Sequence, residues 1–99
     1  MKTLESINGL PGERLIREGL ADIKSGRRSI AACLVAIARP RLQQSGFISP
    51  GAADFLPDAE LQLYRLLRQE EGDAYSRYNS LVRELVSFEQ ALDHRQRSR

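Results

Sequence analysis

The chain has 99 residues, of which 41% are apolar, 28% charged and 6% aromatic, with no Trp. These values fit one globular domain with a thin core, and the few aromatics argue against stacking platforms for bases or sugars. The net charge of +2 is unevenly spread: residues 1–50 carry eight Lys/Arg against four Asp/Glu, and residues 51–99 carry seven against nine. Three of those seven are Arg95, Arg97 and Arg99, so the basic pI rests largely on the C-terminal tail and is poor evidence for a basic binding face.

Cys33 is the single cysteine. No intrachain disulfide can form, which fits a reducing compartment. The first residues lack the charged-then-apolar pattern of a secretory signal. The longest apolar run covers residues 30–38, under half of the roughly 20 residues a membrane span needs. The expectation is a cytoplasmic protein with no membrane partner.

Residues 1–10 form a lead-in with the turn dipeptide Asn8-Gly9. A helix is predicted over 11–25, opened by Pro11 or Gly12 and closed by Gly26. Leu15, Ile16, Leu20 and Ile23 make its narrow apolar stripe, with Arg14, Arg17, Glu18, Asp22 and Lys24 on the remainder. Ser29 is a good N-cap for a second helix over 29–44. Its stretch SIAACLVAIA is apolar on every side, so it must be covered on more than one side. Pro40 removes a hydrogen bond to Ala36, and a kink there is expected because Leu42 continues the apolar pattern. Gly46 closes the helix.

Residues 47–56 form the main loop, with Phe47, Ile48 and Phe55 turned inward. A third helix is expected over 57–71, carrying Leu61, Leu63, Tyr64, Leu66 and Leu67. Asp73 caps the fourth and longest, over 73–94. Ala74, Tyr78, Leu81, Leu85, Phe88 and Leu92 recur in it at steps of four and three, the seam spacing of a helix packed along a neighbour. Tyr75, Val82 and Val86 add a second apolar stripe. The architecture expected is all-α: a four-helix, bundle-like single domain over residues 1–94 with a kinked, buried second helix, followed by a frayed basic tail over 95–99. Docking of the basic first half on the acidic segment 51–94 should reinforce it.

Candidate chemistry is sparse. A helix-turn-helix reading of the first two helices fails because the second has no polar side chains for base edges. Lys24, Arg27 and Arg28 cluster at one junction, and Arg39 and Arg41 flank Pro40. The simpler roles are pairing of Arg27 and Arg28 with the acidic second half, and service to carbonyls freed near Pro40 by Arg39 and Arg41. Cys33 sits in the most apolar segment, where a thiol is unreactive, and the one imidazole, His94, is far along the chain. Zinc-like spacing is absent. Glu70, Glu71 and Asp73, like Asp54, Asp58 and Glu60, are explained by helix ends. No catalytic residues, cofactor or metal are therefore expected.

The leading expectation is a non-enzymatic protein–protein interaction module: an adaptor, a regulator or a self-associating homodimer. Its contact surface is placed on Tyr75, Arg77, Tyr78, Asn79, Val82, Arg83 and Val86, because apolar stripes exceed what a chain of this size can cover and Tyr and Arg are favoured anchors. The alternative partner is nucleic acid, bound through Lys24, Arg27, Arg28, Arg95, Arg97 and Arg99.

Overall fold

A computed structural model of the chain describes residues 7–97, and among these every regular element is helical, with no strand. The elements are α1 (Glu13–Ser25), α2 (Ile30–Ile37), α3 (Arg39–Gln44), α4 (Ala59–Arg68) and α5 (Ala74–Arg97). No helix among the described residues is long and apolar enough to cross a membrane.

Helix α1 begins where Glu13 gathers donors: its carboxylate accepts from Gly9 N–H at 2.8 Å and from Arg17 Nε at 2.6 Å. It ends at Gly26, whose φ of +70° is left-handed. Gly26 N–H then donates to Ile23 O at 3.1 Å and Arg27 N–H to Asp22 O at 2.8 Å, which satisfies two carbonyls of the last turn. Ser29 starts α2 as expected, accepting from Ala32 N–H at 3.0 Å.

The stretch predicted as one kinked helix over 29–44 is divided at Ala38 into α2 and α3. Ala38 has φ −85° and ψ 8°, away from the helical ψ near −42°. Pro40 falls in the first turn of α3, where its missing N–H costs nothing. The helical bonds Ala38 N–H to Leu34 O and Leu42 N–H to Ala38 O span the junction at 3.1 and 3.0 Å. The third predicted helix is shorter than 57–71: α4 starts after Asp58, the one described non-glycine residue with positive φ, and ends at Arg68. The last helix is longer than predicted. It runs through Arg97, so residues 95–97 continue the helix instead of fraying, and Arg99 lies outside the described residues.

Helix α2 packs against α1, α4 and α5, and α4 also meets α5. Ala32, Cys33 and Val35 are fully buried, and Leu34 nearly so, at 1% exposure. Leu63 and Leu67 of α4 and Leu85, Phe88 and Leu92 of α5 complete the cover with Ile16, Leu20 and Ile23 of α1. Phe47, Ile48 and Phe55 pack on this core from the loop. The cover is close on the α1 side because Gly19 faces α2. A Cβ on Gly19 would stand 2.3 Å from Ala31 O and 2.4 Å from Val35 Cγ2, separations no real Cβ tolerates.

Gly19 therefore sets the α1–α2 distance. Gly19→Ala should destabilise the fold by about 1–3 kcal/mol through overpacking, although the gain in helix propensity alone would be worth about 1 kcal/mol in the opposite direction. The midpoint of urea unfolding, followed by circular dichroism, reads the sign directly.

Candidate functional site

The surface selected by sequence lies on the first half of α5. Asp73 anchors it: Tyr75 N–H and Ser76 N–H donate to Asp73 Oδ1 at 3.0 and 3.3 Å, and Ser76 Oγ donates to Oδ2 at 2.8 Å. These bonds favour the charged carboxylate and lower the Asp73 pKa. From there Leu85, Phe88 and Leu92 turn inward. Tyr75, Asn79, Val82 and Val86, spaced by four and three, share a neighbouring flank. Tyr75 is 66% exposed and Val86 43%, while Asn79 and Val82 are half-buried.

The remaining predicted residues do not join that stripe. Tyr78 is half-buried and meets Tyr64 of α4 edge-to-face, with centroids 6.0 Å apart and planes at 72°; it serves the α4–α5 contact. Arg77 turns to the other flank and pairs with Glu70. Arg83 is exposed on the outer side. The structure thus brings together Tyr75, Asn79, Val82 and Val86, and sends Tyr78 and Arg77 to structural contacts.

The stripe runs on to Glu89 and Asp93. Asp93 holds α3 against α5 by accepting from Arg41 at 2.9 Å, and also pairs with Arg97 at 3.1 Å. Ser45, one of two buried polar residues among those described, donates to Gln96 Oε1 at 3.3 Å beside it. Burial raises the Glu89 pKa, against a smaller opposing pull from Arg41. Arg39 pairs with Asp54 at 3.1 Å. Both arginines flanking Pro40 therefore bind carboxylates of the second half, and the expected service to freed carbonyls is replaced by these ion pairs.

The basic set proposed for nucleic acid is split. Lys24, Arg27 and Arg28 are exposed near the end of α1. Arg95 instead donates to Asn8 O at 2.7 Å, ahead of the start of α1, and Arg97 pairs with Asp93 within its own helix. A helix of α1's length separates Arg95 from Lys24, Arg27 and Arg28 by roughly 20 Å. Arg27 lies 3.8 Å from Asp22, not beside an acid of the second half.

Sequence reasoning missed two positions. Asp22, placed on the solvent side of α1, is buried, and its Oδ2 accepts from Ser29 Oγ at 2.5 Å. The signal was an acid seven residues before an N-cap serine, across a glycine-closed turn. Gly19 was passed over although it sits between Leu15, Ile16 and Leu20, Ile23 and faces an alanine-rich helix. Cys33 has no exposed surface, and burial raises its pKa. Among the described residues, no group of three or more His, Cys, Asp or Glu gathers as a metal site. No known family, curated protein or solved structure matches the chain.

Two measurements follow from these groups. Because the Glu89 pKa is raised above 4.5 in the fold, its contribution favours the native state below that value and declines as pH rises through the folded pKa. Glu89→Gln should thus unfold at higher urea than the parent near neutral pH, with the difference shrinking on acidification below the unfolded value. The thiol of Cys33 should resist a water-soluble disulfide reagent in the native protein and titrate as one thiol per chain once urea unfolds it.

Proposed function

We propose that the protein is a non-enzymatic helical interaction module whose contact surface is the outer stripe of α5, with a second copy of the chain as its partner. In this reading residues 1–94 act as one bundle-like domain, and a reducing, cytoplasmic setting suits the free thiol of Cys33. The observation that carries the proposal is the pair of large apolar side chains left uncovered on one flank of α5. Tyr75 and Val86 are 66% and 43% exposed, and half-buried Val82 lies between them.

Several features support self-association. The stripe keeps helical seam spacing over three turns, so two copies of α5 can lie antiparallel with Val82 near the crossing, as a two-fold interface requires. From Tyr75 to Val86 the stripe occupies the first half of a 24-residue helix, away from the Arg41–Asp93 contact that holds α3. A tyrosine at one end of the stripe supplies an amphipathic anchor at low entropy cost. Arg83, exposed beside the stripe, can serve the polar rim.

Light scattering coupled to size exclusion tests this. A dimer is expected at tens of micromolar, and Val82→Glu with Val86→Glu should convert it to monomer while leaving the helical circular dichroism unchanged. A parent protein that is strictly monomeric at those concentrations overturns the reading.

A further inference from the structure

A second surface has a different chemistry. A cleft of about 380 Å³ lies between the α1–α2 junction and the outer face of α4, and no residue of α5 lines it. Arg28 stands on one wall. Leu61, Arg65 and Leu66 of α4 form the other, with Pro57 and Asp58 at the entry to that helix. Leu61 is 48% exposed, one of three large apolar side chains left open among the described residues. Arg65 follows it at i+4, on the same helix face.

The two arginines of the cleft are not held in ion pairs among the described residues. Arg17, Arg27, Arg39, Arg41, Arg77 and Arg97 each lie within ion-pair distance of a carboxylate. Arg28 and Arg65 have no such partner among the described residues, and Asp58 is the single acid in the lining. Arg68, at i+3 from Arg65, extends the positive rim along α4.

We propose that this cleft binds an acidic, leucine-bearing peptide segment of a partner protein. The leucine packs on Leu61 and Leu66, and flanking carboxylates meet the guanidinium groups of Arg28 and Arg65. An exposed apolar centre rimmed by arginines is the complement of such a segment: the apolar contact supplies the area and the guanidinium groups fix carboxylates in register. A nucleic-acid strand would use the two arginines but has nothing to place on Leu61, and no aromatic ring lines the cleft for a base to stack on. The proposal goes beyond the α5 reading and rests on different residues, so either can fail alone.

The test is fluorescence anisotropy of the full chain with a labelled helical peptide of glutamates and leucines at i, i+4 spacing. A serine-for-leucine version of that peptide and labelled single- and double-stranded oligonucleotides serve as competitors. Saturable peptide binding is expected at low salt, weakened about tenfold by Arg28→Glu with Arg65→Glu and several-fold by Leu61→Ser. The Leu61→Ser loss should persist at high salt, where the arginine contribution is screened. Thermal melts confirm that each variant is folded. The proposal is overturned if the peptide fails to saturate, if the double charge reversal leaves affinity intact, or if the serine peptide or an oligonucleotide binds as well as the leucine peptide.

Discussion

The close approach of α1 to α2 at Gly19 governs the rest of the molecule. Helix α2 is short, and its buried face is built largely from small side chains, Ala31, Ala32, Cys33 and Val35. Small residues lose little entropy on burial but present little surface to bury, so their partner must come very near to exclude water. Gly19 permits that by leaving Ala31 O and Val35 in contact with backbone. Larger side chains complete the core around it: Leu34, Leu63, Leu67 and Phe88. The space left near Gly12, Leu34 and Phe88 is only about 10 Å³, as close packing requires.

Polar contacts fasten the elements that this packing brings together. Ser29 accepts from the first turn of α2 and donates to Asp22 near the end of α1, so a single hydroxyl caps one helix and latches it to the previous one. This satisfies a carboxylate that would otherwise be buried at a cost. At the other end, Arg41 and Ser45 of the α3 region reach Asp93 and Gln96 of α5. No buried side-chain nitrogen or oxygen among the described residues lacks a partner. The basic first half does meet the acidic second half, but through two specific ion pairs at Arg39 and Arg41 and not through the arginines at the α1–α2 junction.

The two surfaces proposed for binding differ in physical type. The α5 stripe offers the apolar side chains of Tyr75, Val82 and Val86, so its affinity would scale with area removed from water. The α4 cleft combines one exposed leucine with unpaired guanidinium groups, so its affinity would fall with salt and its selectivity would depend on carboxylate placement. A module that held a copy of itself through one face and an acidic segment through another would act by bringing chains together.

Much of the architecture was legible in the sequence because it follows from short-range rules. The amphipathic pattern of α1, the cap at Ser29, the glycine stop at Gly26, the all-round apolar stretch of α2 and the four-three seam of α5 are each set by neighbours within a few turns. Asp73, Leu85, Phe88 and Leu92 could be assigned from spacing alone. The division of α2 from α3 at Ala38 was not readable in the same way, because a proline inside an apolar pattern permits either a bend or a restart. The surface was less legible still. Spacing placed Tyr75, Val82 and Val86 on one stripe, but only the packed neighbours decided that Tyr78 belongs to Tyr64, that Arg77 belongs to Glu70 and that Arg95 reaches back to Asn8. Local order follows from hydrogen bonds and periodicity along the chain. Which side chains remain open to solvent depends on contacts between residues far apart in it, and those exist only once the helices have packed.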